Sequence, residues 1–183
     1  ADLIAKETGA VFVHPYNDFT VIAGQATAAR ELIEDVPAPL DVILCPVGGG
    51  GLLSGPALSA HYFSENTAVI AGEPEGAADA ILSFQLGKIT KAPYVKTIAD
   101  GLLTTLGDKT FAVIQEHVAD IVTVSDEDIL SAMKLVWERM KIVVEPSGVV
   151  AVAALLKYKG LFTGKKVGII LTGGNVDLEN LPF

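Results

Sequence analysis

The sequence predicts an α/β fold, a mostly parallel sheet flanked by helices. Three observations carry that expectation. Short apolar runs of strand length recur at 41–45, 68–72, 121–124 and 167–171, each bounded by turn residues. Stretches of helical character separate them, the alternation that builds a parallel sheet between helix layers. One run, Asp41-Val42-Ile43-Leu44-Cys45, passes through Pro46-Val47 into four consecutive glycines, Gly48 to Gly51, and then into an apolar helical segment, Leu52 to Phe63. With 183 residues, half of them apolar, the chain reads as a single domain, 1–183, large enough for a real core.

The elements follow in order. Val11-Phe12-Val13-His14 is expected as a short strand stopped by Pro15. Asn17-Asp18 offers helix-start chemistry for a helix over Thr20–Glu34, ended by Pro37 and Pro39. After the glycine loop and its helix comes the buried strand Ala68–Gly72, then a helix from Ala77 to Gln85 stopped near Gly87. Ile89 to Asp108 reads as irregular, with Pro93, Gly101 and Gly107. A short helix, Thr110–His117, leads to the strand Ile121–Val124. Ser125 then caps a helix, with Asp128 three residues on in a variant of the capping box. Ile129, Met133, Val136 and Met140 share one face of it, with Trp137 beside them, so that Trp137 reads as core or interface. Ser147–Tyr158 is an Ala- and Val-rich helix expected to be buried on several sides, and Val167–Leu171 is the last strand.

Composition excludes several classes. A net charge of −9 disfavours a nucleic-acid or anionic-membrane partner. No apolar run reaches the length of a membrane span. Ala1–Gly9 lacks the basic start and apolar core of a signal peptide. Cys45 is the single cysteine, so no intrachain disulfide can form; it reads as an inert buried thiol and the chain as cytoplasmic.

Ligands in parallel α/β sheets bind beyond the carboxyl ends of the strands. Three strand ends carry notable residues: Gly48–Gly51, Glu73 and Thr172. Four residues without side chains let backbone N–H groups converge, and the helix N-terminus behind them adds partial positive charge. This is an anion cradle, for a phosphate above all; the bland alternative is a flexible turn. It is neither a P-loop, since no Lys-Ser/Thr follows, nor the spaced dinucleotide fingerprint. Glu73 and Asp79, at a strand end and the next helix start, could bind a hard divalent cation with a carbonyl between them, or simply stabilise the helix dipole. Thr172, taken alone, is a strand-end hydroxyl bonding the turn backbone, and Gly101 an ordinary loop glycine. His14, His61 and His117 have no ligand spacing.

Taken together, Pro46-Val47-Gly48-Gly49-Gly50-Gly51-Leu52, Ile98-Ala99-Asp100-Gly101, Glu145-Pro146-Ser147-Gly148 and Leu171-Thr172-Gly173-Gly174-Asn175 resemble the serine racemase and serine/threonine dehydratase family. Val21-Ile22-Ala23-Gly24-Gln25 and Val136–Lys141 strengthen the resemblance, which covers nearly the whole chain in order. It implies a pyridoxal-phosphate enzyme of the tryptophan synthase β-type fold. Gly48, Gly49, Gly50, Gly51 and the N–H of Leu52 would hold the cofactor phosphate. Thr172 would meet the pyridine nitrogen, and Gly101 would lie beside the ring. Glu73, the Ala77 carbonyl and Asp79 would bind Mg²⁺ or Ca²⁺, away from the chemistry. Glu145 and Asn175 match positions lining the cleft, and Lys141 and Asn175 match nucleotide-effector contacts of the animal racemases. Where the family often has Asn after His-Pro, this chain has Tyr16, so no polar contact carries over there.

The resemblance also implies a Schiff-base lysine in a Lys-x-Arg-Gly-Ala-like context and a Ser-x-Gly-Asn-type loop for the substrate carboxylate. Neither occurs in this sequence. The chain is therefore expected to be the C-terminal part of the family's pattern, a fragment or one piece of a split enzyme, inactive alone and without a catalytic residue of its own. The complete enzyme would deprotonate Cα of L-serine or L-threonine and then eliminate the β-hydroxyl or racemise, as a homodimer if it follows the family. The alternatives are a non-catalytic module that binds a phosphate ligand or a partner, and a sister β-replacement synthase such as cysteine synthase.

Overall fold

A computed structural model describes residues 1–179 and 181; positions 180, 182 and 183 of the expected domain lie outside the described residues. The first helix, α1 (Asp2–Thr8), stops at Gly9, whose φ of 70° is the left-handed conformation glycine accepts without strain. The sequence had not suggested this helix. Residues 9–14 then run without a strand, contrary to the expectation for Val11–His14. That run has strand propensity but no ladder: Val11 and Val13 are 87% and 66% exposed, and strand propensity counts for little without neighbours to pack against.

Helix α2 (Phe19–Asp35) begins where Asp18 accepts the N–H of Thr20 and Val21. It leads to β1 (Val42–Pro46), α3 (Gly51–Phe63) and β2 (Ala68–Pro74). A single 3₁₀ turn, Glu75–Ala77, precedes α4 (Asp79–Leu86), so the expected helix starts two residues later than Ala77. A second 3₁₀ turn, Asp100–Leu102, lies inside the otherwise irregular 89–107 segment. Then come α5 (Asp108–His117), β3 (Asp120–Val124) and α6 (Asp126–Met140). Ser125 and Asp128 form the reciprocal capping box: Ser125 Oγ accepts from Asp128 N at 3.2 Å, and Asp128 Oδ2 accepts from Ser125 N at 3.0 Å. The chain closes with α7 (Pro146–Lys157), the one-turn α8 (Lys159–Phe162) and β4 (Val167–Ile169), shorter than the expected 167–171.

Among the described residues there are four strands, all parallel, in the order β3-β2-β1-β4. Strand β1 is buried throughout and sends its side chains alternately to the two faces. Val42 and Leu44 join Ile70, Val122 and Val124 under α6 and α7. Ile43 and Cys45 join Val69, Ala71 and Ile121 against the helices of the other face. Trp137 packs at the edge of the first of these clusters and donates its Nε1–H to Val144 O at 3.0 Å. The chain proceeds from β1 to β2 to β3 on one side, and β4 returns to the other side of β1. The strand order thus reverses at β1, and the crevice beyond the carboxyl ends of β1 and β4 is where such a sheet binds ligands.

Candidate active site

The glycine run after β1 and Thr172 after β4 both open onto that crevice. A cleft of about 410 Å³ is lined by all of Gly48–Gly51 and Leu52 on one side and by Thr172 and Gly101 on others. Every expected cofactor residue therefore lies on one cavity, although the positions span more than half the sequence. No lysine is among its lining residues.

The glycines are required by packing as much as by ligand access. At Gly50, φ is 87°; a Cβ there would also sit 2.9 Å from Ile114 Cδ1, Leu106 Cδ2 and Thr110 Cβ. At Gly49 a Cβ would lie 2.5 Å from the ring of Tyr16, and at Gly51 it would lie 2.7 Å from Tyr16 Cβ. At Gly48 it would approach Leu102 Cα at 3.0 Å and Thr104 Oγ1 at 3.1 Å. The loop is thus clasped between the 15–16 turn and the 102–106 segment. Gly50 is the N-cap of α3 and supplies no side-chain cap, and the first turn has no acidic residue. The helix start therefore keeps its partial positive charge for an anion.

Tyr16, expected only to lack a polar contact, forms a wall of the cleft. Its turn is held by His14, whose Nδ1 accepts from Asn17 N at 2.9 Å and Tyr16 N at 3.3 Å. Asn17 ties the turn to α5, donating to Asp108 Oδ1 at 2.7 Å and accepting from Lys109 N at 3.0 Å. The ring presents apolar surface to the cleft. Thr104 and Gln25 also line the cleft. Gln25 lay in the Val21–Gln25 match, but nothing local singled out Thr104.

Gly101 reaches the cleft because its loop is fastened at two points. Its N–H donates to Ser147 Oγ at 2.9 Å, at the start of α7. Upstream, Asp126 accepts from Thr97 Oγ1 and, at 3.2 Å, from Ile98 N. The 172–174 turn sits on α7 at Gly148, where a Cβ would lie 2.6 Å from Gly173 O. Glu145 Oε2 accepts from Asn175 N at 2.9 Å. Neither Glu145 nor Asn175 lines the cleft itself. Lys141 is the exposed left-handed C-cap of α6, with φ of 60°.

The second constellation is buried. Glu73 ends β2 with 1% exposure, and Asp79 opens α4 with 4%. Both oxygens of Glu73 accept from the start of α4, Ala80 N at 2.7 Å and Ile81 N at 2.9 Å. Asp79 Oδ2 accepts from Leu106 N at 3.3 Å. Burial pushes Glu73 up to about 8, against those two hydrogen bonds and with help from the Asp79 charge. Burial likewise raises Asp79 to about 6. Two buried carboxylates that repel each other suit a hard cation, and Ala77 lies between them in sequence, at the end of the 3₁₀ turn. Among the described residues no group of three His, Cys, Asp or Glu side chains converges.

Comparison with known proteins gives the family and the fold. Residues 1–173 match the family described as pyridoxal-phosphate dependent enzyme. The chain is 51% identical over 180 residues to a β-hydroxyaspartate dehydratase of Paracoccus denitrificans, covering 98% of this chain and 57% of that protein. It is 45% identical to a serine racemase of Arabidopsis thaliana, covering 99% of this chain and 56% of that one. The structure of maize serine racemase superposes with a TM-score of 0.92 at 45% identity, over 97% of this chain and 56% of that one. The chain thus spans a little over half the length of these relatives. A glycine cup and a facing threonine at a parallel-sheet switch point, with a family match over almost all of the sequence, lead to one conclusion: the chain belongs to the pyridoxal-phosphate dependent enzyme family.

Proposed function

We propose that the complete protein carrying this chain removes the Cα proton of a β-hydroxy amino acid and then expels the β-hydroxyl or returns a proton to the opposite face. The first outcome yields a 2-oxo acid and ammonia, the second a D-amino acid. L-Serine and L-threonine are the substrates proposed, and the names of the relatives add β-hydroxyaspartate to that class. The observation that carries the reading is the single cleft joining Gly48–Gly51 to Thr172.

When bound, pyridoxal phosphate supplies the electron sink that makes Cα acidic. The chain's own residues hold and tune it. The N–H groups of Gly48–Gly51 and Leu52 would hold the phosphate at the start of α3. Thr172, on the wall of the same cleft, would offer the pyridine nitrogen a neutral hydroxyl, which would not hold a proton there as a carboxylate does. The weaker sink that results suits loss of a β-leaving group. Gly101 would bring bare backbone beside the ring. Glu73, Asp79 and the Ala77 carbonyl would hold Mg²⁺ or Ca²⁺. The rest of the protein supplies the cofactor-tethering lysine, the loop that grips the substrate carboxylate and the remainder of the fold. The protein works in the cytoplasm, in keeping with a lone buried thiol, Cys45, pushed up to about 12 by desolvation, and assembles as a homodimer.

The test is an assay of the complete protein with pyridoxal phosphate and, separately, L-serine, L-threonine and β-hydroxyaspartate, reading 2-oxo acid, ammonia and D-serine. Release of product from at least one substrate is expected. Absence of all products from a cofactor-loaded protein would sink the proposal.

A further inference from the structure

We infer that Thr110 is a positioning residue for the anion cup: its buried hydroxyl fixes the Gly49–Gly50 peptide so that the Gly50 N–H faces the ligand. The inference rests on the reading of Gly48–Gly51 as a phosphate site and deepens it.

Thr110 lies in the first turn of α5, sixty-one residues beyond Gly49 in sequence, and is fully buried. Its Oγ1 donates to Gly49 O at 2.8 Å, with Gly107 O more distant at 3.1 Å, and accepts from Gly107 N at 3.0 Å. In a trans peptide the C=O and the following N–H point in opposite directions. A Gly49 carbonyl directed into the core at Thr110 therefore turns the Gly50 N–H away from the core. The next peptide is set in the same way. Gly50 O accepts from Ser54 N at 2.9 Å and from Ser54 Oγ at 2.7 Å, which directs the Gly51 N–H out of the start of α3. Ser54 is itself fully buried, and its Oγ also lies 3.4 Å from Thr110 O.

A glycine run needs such an anchor more than any other loop. Glycine peptides flip readily because both signs of φ are open to them. A cup whose carbonyls could turn inward would repel a phosphate. Two buried hydroxyls, one on α5 and one on α3, hold the carbonyls toward the core and away from the cup before any ligand arrives, so binding does not have to order them.

The experiment uses the complete protein in its cofactor-free form, with inorganic phosphate and pyridoxal 5′-phosphate as probes. Thr110→Val keeps the shape and removes the hydroxyl; Thr110→Ser keeps the hydroxyl. The Val variant is expected to bind both probes roughly 3- to 10-fold more weakly, the worth of one hydrogen bond, and the Ser variant within about 2-fold of the parent. In the unmodified protein, phosphate should shift the Gly50 amide resonance, a readout independent of whether the Val variant folds. Unchanged affinity in Thr110→Val with only a lower Tm, or a Gly50 amide that ignores bound phosphate, would overturn the inference. Failure of the unmodified protein to bind either probe would instead remove the phosphate reading itself, and this inference with it.

Discussion

Replacing Gly50 by alanine tests why the loop is glycine. Two costs combine. At φ of 87° an L-residue pays about 1–2 kcal/mol for the left-handed conformation. The new methyl then meets Ile114, Leu106 and Thr110 at 2.9 Å, an overpacking of about 1–3 kcal/mol. The sum is a loss of about 2–5 kcal/mol. Gly87 provides the control: it too has positive φ, 65°, but a Cβ there meets nothing within 4 Å. Gly87→Ala should therefore cost only the conformational part, about 1–2 kcal/mol. The entropy that alanine removes from the unfolded chain is common to both and cancels. Equilibrium denaturation of the complete protein with both variants, compared at constant m-value, reads the difference directly. Gly50→Ala should also lose affinity for pyridoxal phosphate, while Gly87→Ala should not. If the two variants lie within about 0.5 kcal/mol of each other, the packing argument for the tetraglycine is wrong.

The remaining predictions concern the supports of the cleft and the acid pair. Glu73 has its folded pKa raised to about 8 from an ordinary value of 4.5. Its folded form therefore holds a proton that the unfolded chain releases between those values, and stability falls as pH rises across that window. A cation-free sample should lose Tm from pH 5 to 8, Mg²⁺ or Ca²⁺ should restore more at pH 8 than at pH 5, and Glu73→Gln should flatten the dependence; a cation effect equal at both values would refute the assignment. Asp126→Ala removes both anchors of the 97–98 segment and should cost about 2 kcal/mol, as hydrogen bonds to a charged group do, with faster amide exchange at Ile98 and Gly101. Exchange confined to the start of α6 would argue against a role for Asp126 in placing Gly101. Tyr16→Phe should leave cofactor affinity unchanged, because the wall is the ring, whereas Tyr16→Ala should weaken it; equal behaviour of the two would contradict the packing seen at Gly49.

The parts of this site that the sequence discloses are those whose causes are local. Strand β1, the glycine turn and α3 are contiguous, and the capping box at Ser125 and Asp128 spans three residues. Even the convergence of Gly48–Gly51 with Thr172 follows from local signals plus one topological rule, since β1 and β4 meet where the strand order reverses. Val11–His14 fails for the complementary reason. Its strand propensity is local, but a strand is defined by its neighbour, and Val11 and Val13 face solvent instead. Glu73 shows two readings merging: its carboxylate serves the start of α4, as the dipole argument expected, yet remains buried against a second acid in a way that helix capping does not require. Thr110, Asp126 and Tyr16 give no sign of these roles at their own positions. Each acts on a glycine or a loop roughly thirty to sixty residues away. A threonine in a first helical turn or an aspartate at a helix start has an ordinary local explanation, and only the fold shows that the same atoms also shape the cleft.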